Sequence, residues 1–258
     1  DTISHLDKKV HWRNEMKFRP LLSSVASDYF GVRRYHWGPG EFHDEQFDEA
    51  PIGEEIGAGA EVERLQKSNP GDHESSYHDH MESIGRTLAG KRLSSLAIYK
   101  SAAYRQINAD LRRGRNPSPM HRDVVSDLDK VTSHVMQKPL TVYRGFDEAI
   151  QAKMRSLKPG HTFVDRAFVS TSHDPAIAHR FSEWSGSETI AKIYVPEGSR
   201  GYHLDRHDFG HQKKEESEFL LARGTKFRVV KHSKGIVRRG GEDHRVHVVH
   251  LEVVPPQK

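Results

Sequence analysis

The sequence predicts an α+β protein in which helices precede a mostly antiparallel β region. Between residues 92 and 136, apolar side chains recur every three or four residues, as they do on one face of a helix. After Lys138-Pro139 the pattern changes to short runs in which apolar and polar residues alternate, which is typical of half-buried strands. Helices and strands are thus segregated along the chain, which favours helices packed on an antiparallel sheet over a doubly wound parallel sheet.

The helices and strands follow from periodicity and from turn residues. Gly114 is a suitable stop for the first long helix, and Asp174 is a suitable cap for the last one, in front of a proline. Helices are predicted over residues 92–113, from after Pro119 to about Met136, 147–157 and 175–184, with a shorter helical pattern over 58–67. Strands are predicted over residues 140–144, 162–170, 189–195, 201–204, 217–222, 226–231 and 246–254.

Composition excludes several classes of protein. The 258 residues suffice for one large domain, or for a domain with an extension. The absence of cysteine excludes disulfides, thiolate catalysis and cysteine-based metal sites. No run of 18 apolar residues predicts a membrane span. The net charge of +4 is mildly basic and does not point to a nucleic-acid partner.

The histidines do not predict a metal site. The chain has 19 of them, but only His78-Asp79-His80 forms a tight group in the sequence. No other ligand spacing completes a metal shell around that group. We therefore expect no metal.

Polar motifs end two of the predicted strands. Tyr143-Arg144-Gly145 ends the first, where a guanidinium beside exposed backbone suits a phosphate, although a surface salt bridge is the commoner role. Ser170-Thr171-Ser172 ends the second, where the hydroxyls can orient a carboxylate or cap the following helix. Each motif alone leaves both interpretations open.

Two glutamates stand at the start of a later apolar strand. In an extended chain Glu216 and Glu218 point to the same face, because side chains two residues apart do so. Like charges this close repel, so the pair suits a site that receives a cationic group or a developing positive charge. The alternative is an acidic hairpin end.

In this order, the three motifs resemble the Arg–Ser–Glu signature of mono-ADP-ribosyltransferases. The likeness is greatest to the bacterial exotoxin group that includes the actin-modifying binary toxins. Residues 99–112 resemble the helix that lines the NAD cleft of that family, residues 190–198 its strand and turn after the Ser-Thr-Ser element, and residues 219–229 its strand pair after the catalytic glutamate. The resemblance covers about residues 90–254.

The resemblance implies a fold with two mostly antiparallel sheets that form an NAD cleft, and it implies NAD as the donor substrate. Glu218 becomes the catalytic carboxylate beside the ribose, and Arg144 holds a phosphate of NAD. Gly145 leaves its backbone accessible to nicotinamide, Ser170 orients Glu218, and Thr171 and Ser172 support the cleft. Tyr104 and Asn108 are implied to bind NAD from one helix face.

The acceptor side is implied by fewer residues. Glu216 is expected to face the acceptor, for which the Glu-x-Glu variant implies arginine, and Phe209 lies in the preceding loop. Phe181 or Trp184 is expected to cover nicotinamide, although this segment lacks the basic residue that relatives often carry after the aromatic one.

Residues 1–90 are expected to be a partly helical extension, and residues 91–258 the catalytic domain. We expect the partner to be a target protein with an accessible arginine, such as an actin-like cytoskeletal protein or a host or competitor protein, and a carrier component is possible. The expected site of action is the cytoplasm of a target cell, reached by secretion or injection. The alternatives are an NAD glycohydrolase, transfer to a non-arginine or nucleic-acid acceptor, and an inactive binding module.

Overall fold

Three of the five helices in the described residues begin where the sequence supplies a capping side chain. The computed structural model describes residues 62–68, 91–204 and 217–256. The helices in these ranges are α1 (Lys91–Ile98), α2 (Tyr104–Arg112), α3 (Pro119–Thr132), α4 (Glu148–Ser156) and α5 (Pro175–Trp184). Asp147 caps α4 by accepting from the backbone N–H of Ile150, and Asp174 caps α5 by accepting from that of Ala176. The predicted cap of α5 is therefore confirmed.

The helix predicted over residues 92–113 is interrupted. Between α1 and α2, residues Tyr99–Ala103 form a π-helical segment in which Ser101 leaves the helical region, with φ −75° and ψ −162°. The hydroxyl of Ser101 donates to the carbonyl of Ile98, and such local bonds compete with the helix backbone. The predicted stop is confirmed, since Gly114 has a φ of +64° just after α2.

Nine strands of the described ranges form one sheet. They are β1 (Val62–Arg64), β2 (Leu140–Gly145), β3 (Thr162–Asp165), β4 (Val169–Ser172), β5 (Thr189–Val195), β6 (Gly201–His203), β7 (Glu218–Leu221), β8 (Thr225–Arg239) and β9 (Glu242–Val254). Their order is β1-β8-β9-β5-β2-β4-β7-β6, and β3 pairs with β8 beside this path. The pairs β1–β8 and β5–β9 are parallel, and the other pairings of the described strands are antiparallel.

Three sequence predictions of elements were wrong in detail. Residues 62–64 belong to a strand and not to a helix, because they pair with Lys234–Ile236. The strand predicted over 162–170 divides into β3 and β4, which pair with different neighbours, because the carboxylate of Asp165 accepts from the N–H of Ala167 and turns the chain. The strand predicted over 226–231 continues to Arg239 as β8.

The sheet consists of two halves joined by a narrow connection. Strands β2 and β4 are paired only at Tyr143 and Ser172. One core cluster packs α4 against strands β2, β3, β5, β8 and β9, and it extends to β4 and β7 through Val169, Phe219 and Leu221. A second packs α1 to α3 against β6 and Leu220 of β7. The two expected sheets correspond to these halves, which the structure links into one sheet. The candidate site lies at the connection.

The division at residue 90 stays a prediction. Residues 62–68 precede it, and they add β1 to the sheet and the buried Leu65 to a core cluster. Within the described ranges, no helix combines the length and the hydropathy that a membrane crossing requires.

Candidate active site

The registers of three strands bring the predicted motifs together. On β4, Ser172 lies opposite Tyr143 of β2 and opposite Glu218 of β7. The Arg144, Ser-Thr-Ser and Glu218 motifs therefore occupy neighbouring strands at the connection between the two halves of the sheet. The sequence placed them on separate strand ends, and the sheet topology makes them adjacent.

The side chain of Arg144, on β2, is held by a hydrogen bond to the backbone of β4. Its Nη1 donates to the carbonyl oxygen of Ser170 at 3.1 Å. Burial lowers the pKa of Arg144, and the positive charge of Arg112 lowers it further, while Asp165 opposes the change. An arginine stays protonated in proteins, so this guanidinium is a cation that an anionic ligand would stabilise.

Glu218 is a nearly buried carboxylate with a cationic partner. Its Oε2 accepts from Nζ of Lys100 at 2.7 Å, and the two side chains are only 12% and 7% exposed. Lys100 comes from the interrupted segment between α1 and α2. The sequence analysis did not single out Lys100, and the one signal for it was its place directly after Tyr99 in the segment that resembles the cleft helix.

The backbone before Glu218 is unusual. Ser217 has a φ of +43°, a left-handed conformation that non-glycine residues seldom adopt. Its carbonyl oxygen accepts from the N–H of His173 at 3.0 Å, which holds the turn in place. Such outliers cluster at functional sites, and this one sets the direction in which Glu218 enters β7.

The Ser-Thr-Ser motif performs three different tasks. Ser170 is half-buried and binds Arg144 through its carbonyl, while its hydroxyl is a hydrogen-bond partner of Tyr99. Thr171 Oγ1 donates to the carbonyl of Phe219 at 2.6 Å and so ties β4 to β7. Ser172 Oγ accepts from the N–H of Asp174 at 3.0 Å at the turn into α5. The expected orientation of Glu218 by Ser170 stays a prediction.

Tyr99 connects the helix residues to this motif. Burial raises the pKa of Tyr99 to about 12, against the lowering effect of its hydrogen bonds with Asn108 and Ser170. Asn108 Nδ2 donates to the Tyr99 hydroxyl oxygen at 3.0 Å, and the Tyr104 ring meets that of Tyr99 edge to face at 6.3 Å. Tyr104 and Asn108 thus converge on Tyr99, and their contact with NAD stays a prediction.

A second buried ion pair acts electrostatically on Arg144. Arg112 donates to both carboxylate oxygens of Asp165 at 3.0 Å, and both side chains are 10% exposed. Burial tends to lower the pKa of Arg112, but the charge and hydrogen bonds of Asp165 outweigh it and raise the pKa overall. Sequence analysis missed this pair, because its members are 53 positions apart.

Gly145 allows α5 to approach the site. A Cβ atom at this position would lie 2.2 Å from the carbonyl oxygen of Ala178 and 2.7 Å from the N–H nitrogen of Ser182, both in α5. Only glycine tolerates this backbone contact. The structure thus gives Gly145 a packing role, and the expected contact with nicotinamide stays a prediction.

The two aromatic candidates of α5 lie together at the surface. Phe181 and Trp184 are 39% and 50% exposed, with their ring centroids 5.7 Å apart in an edge-to-face arrangement. The guanidinium of Arg180 lies 5.1 Å from the Trp184 centroid, a cation–π distance. The other two candidates, Glu216 and Phe209, lie outside the described residues.

Comparisons with known proteins match the family and the fold. A family model described as ADP-ribosyltransferase exoenzyme matches residues 75–252, well over half of the chain. No curated protein matches the sequence. Because the family model spans residues 75–252, the chain belongs to the ADP-ribosyltransferase exoenzyme family. It is an NAD-dependent mono-ADP-ribosyltransferase of the bacterial exotoxin type, and NAD is its donor substrate.

Solved structures share the fold at low identity. Plx2a, an ADP-ribosyltransferase toxin from Paenibacillus larvae, is 18% identical with a TM-score of 0.54, over 75% of this chain and 100% of that one. The enzymatic component C2-I of the C2-toxin from Clostridium botulinum is 18% identical with a TM-score of 0.54, over 75% of this chain and 50% of that one. The ADP-ribosylating toxin BECa of a binary enterotoxin of C. perfringens, solved with NADH, is 15% identical with a TM-score of 0.54, over 74% and 50%. This chain thus matches about half the length of C2-I and of BECa.

Proposed function

We propose that this enzyme transfers ADP-ribose from NAD to an arginine side chain of a target protein, with Glu218 as the catalytic carboxylate. The observation that carries the proposal is the nearly buried Glu218 on β7, one strand away from the Ser170 carbonyl that holds Arg144. A fixed negative charge and a fixed positive charge beside one cleft suit a substrate that carries both a diphosphate and a ribose.

The reaction breaks the bond between C1′ of the ribose and the nicotinamide nitrogen. Nicotinamide leaves with the bonding electron pair, and positive charge develops on the ribose as an oxocarbenium ion. A carboxylate already in position stabilises that charge without reorganisation at the moment of reaction. Glu218 supplies it, and Arg144 binds the diphosphate so that the ribose stays beside Glu218.

Lys100 explains how such a carboxylate is tolerated in the fold. A buried carboxylate without a partner is costly, and the ammonium of Lys100 at 2.7 Å compensates it before substrate binds. The ion pair leaves Oε1 of Glu218 for the ribose. Lys100 thus positions Glu218 as well as stabilising it.

The arginine acceptor rests on Glu216. In the sequence it stands two residues before Glu218, and a carboxylate there suits a guanidinium, which it attracts and helps to deprotonate. The nucleophilic nitrogen of the arginine attacks C1′, and its proton passes to Glu216. We propose a host or competitor protein as the target, with an actin-like protein as the first candidate, and delivery by secretion or injection into the target cell.

The test combines labelled NAD with eukaryotic and bacterial lysates, followed by mass spectrometry of the modified protein and residue. Modification of an arginine supports the proposal, and modification of another residue type or of nucleic acid contradicts the acceptor. Release of nicotinamide together with free labelled ADP-ribose, and no labelled protein or nucleic acid, would instead identify an NAD glycohydrolase.

Two glutamate variants separate donor from acceptor chemistry. Glu218→Gln should lose both nicotinamide release and transfer, by at least about 100-fold, since oxyanion-type electrostatic groups contribute on that order. Glu216→Gln should lose transfer by a much larger factor than nicotinamide release. The matched control Glu242→Gln changes an exposed carboxylate at the start of β9 and should leave both rates unchanged. Equal losses in the Glu216 variant would refute its acceptor role.

A further inference from the structure

Helix α5 and strand β9 bring together three metal-binding side chains that the sequence did not group. His179 and Glu183 are four residues apart on α5, and His244 lies on β9. One ligand atom from each of the three lies within 4.8 Å of the others, and no other group of this kind occurs in the part of the chain that the structure describes. We propose that His179, Glu183 and His244 form a binding site for a divalent transition-metal ion of the zinc class.

The spacing on each element explains the convergence. Residues four apart share one face of a helix, so His179 and Glu183 both point toward the strand. Ala178 of α5 packs in a cluster with Val237 and Val246, and His244 is two residues from Val246 on β9. The three ligands therefore sit at the edge of a packed interface, where their positions are set by the core beneath them.

The histidine at the centre of this group has an unused ring nitrogen. His179 is 3% exposed, and its Nδ1 has no hydrogen-bond partner among the described residues. Buried polar atoms are almost always hydrogen-bonded, so an unpaired one needs a reason. The rings of His179 and His244 lie 4.7 Å apart at 40°, with Glu183 on the exposed side. A bound cation coordinated by one ring nitrogen of each histidine would keep the two rings together.

The donor set indicates which ions fit. Two imidazoles and one carboxylate suit zinc and its neighbours, whereas magnesium and calcium prefer oxygen ligands. In a tetrahedral zinc site the ligand atoms are about 3.4 Å apart, because each metal–ligand bond is about 2.0–2.1 Å. The observed limit of 4.8 Å closes to that value by small side-chain rotations of the half-buried His244 and the exposed Glu183. Water would complete the shell on the exposed side.

One neighbouring cation competes with the metal. Arg239 of β8 forms an ion pair with Glu183. A metal ion would have to share Glu183 with Arg239 or displace it, so removal of Arg239 should strengthen metal binding.

A metal here would tie α5 to the β8–β9 hairpin. Helix α5 begins directly after the Ser-Thr-Ser strand, packs on Gly145 and carries Phe181 and Trp184. Holding its last turn against β9 would fix the helix that borders the active site. The ion is a structural ligand and takes no part in breaking the bond to nicotinamide.

The experiment uses the full chain after EDTA treatment, titrated with Zn²⁺ by calorimetry and with Co²⁺ by absorption spectroscopy. We expect one tight site per chain, the intense visible bands of four-coordinate Co²⁺, and a rise in melting temperature of about 5–10 °C at a Zn²⁺ concentration 100-fold above Kd. Mg²⁺ should have none of these effects. No tight Zn²⁺ site, or a Co²⁺ spectrum of octahedral type, would overturn the proposal.

Variants assign the site among the many histidines of the chain. His244→Ala and Glu183→Gln change accessible ligands and should weaken Zn²⁺ binding at least about tenfold, since even groups that only support a ligand often contribute that much. His121→Ala is the matched control, because His121 of α3 is half-buried and also has an unpaired Nδ1. Arg239→Met should tighten binding. Equal affinities in His244→Ala and His121→Ala would refute the assignment.

Discussion

Replacing Asp165 by Asn should destabilise the protein far more than the same change in a surface ion pair. Asp165 accepts two hydrogen bonds from Arg112 at 3.0 Å, and both side chains are 10% exposed. The amide of Asn keeps the shape and an oxygen for the N–H of Ala167, which Asp165 Oδ1 now accepts at 2.9 Å. The change removes the negative charge, and it also replaces the oxygen that accepts from Arg112 Nη2 with an N–H donor.

The expected cost follows from the burial of the pair. Removing one partner of a buried ion pair leaves an uncompensated charge and costs about 3–5 kcal/mol of unfolding free energy. In this protein Arg144 adds to the cost, because burial and the charge of Arg112 already lower the pKa of Arg144, and Asp165 is the largest of the groups that oppose this effect. For a chain of this size the loss corresponds to a fall of about 6–20 °C in melting temperature.

The fold offers a control with the same chemistry and different burial. Arg223 donates to both oxygens of Asp129 at 2.6 and 2.8 Å, but these side chains are 45% and 36% exposed. Exposed pairs contribute only about 0.2–1 kcal/mol, so Asp129→Asn should lower the unfolding free energy by no more than that. Urea unfolding followed by circular dichroism measures both variants. Equal losses, or a loss below about 1 kcal/mol for Asp165→Asn, would refute the reasoning.

Two further predictions concern packing and pH. Gly145→Ala should lower the unfolding free energy, measured by urea titration, by about 1–3 kcal/mol, because the added Cβ would lie 2.2 Å from the carbonyl oxygen of Ala178. The rate of NAD hydrolysis should fall as well. A variant as stable as the wild type would contradict the packing role of Gly145. Burial lowers the pKa of His247 and His250 to about 4, below the ordinary value of 6.5, so the unfolded chain binds protons first. The contribution of these two histidines to the unfolding free energy is therefore fully present above pH 6.5 and is lost as the pH falls toward 4. The melting temperature should decline across that window, and it should decline less steeply for His250→Gln. A wild-type melting temperature that does not change with pH would disprove the argument.

Local signals were sufficient to predict elements whose causes are local. Helix α5 was predicted over the correct residues, because Asp174, Pro175 and the apolar spacing all act within one or two turns. Strand β5 was predicted from its own apolar run. The predicted helix at residues 58–67 failed at Val62–Arg64, because the segment pairs in parallel with β8, about 170 residues later in the chain, and short-range periodicity carries no information on such a partner.

The candidate site shows even more clearly that local sequence patterns do not predict contacts between distant segments. Arg144, the Ser-Thr-Ser motif and Glu218 were found because each motif is continuous in the sequence and stands at a strand end. The partner of Glu218 was not predicted from the sequence. Lys100 is 118 positions away from Glu218, and it lies in a segment where the helix is interrupted at Ser101. An uninterrupted helix over 92–113 would turn successive side chains by about 100° each and carry Lys100 to a different direction.

The break and the ion pair are therefore one feature. Lys100 and Glu218 are both nearly buried, and each supplies an opposite charge at 2.7 Å that lowers the cost of burying the other. Both residues lie beside irregular backbone, Lys100 next to the interruption at Ser101 and Glu218 next to the left-handed turn at Ser217. Each of these departures from regular structure is unfavourable by itself. Together they bring one buried cation to one buried carboxylate, and no local rule applied to either segment predicts that outcome.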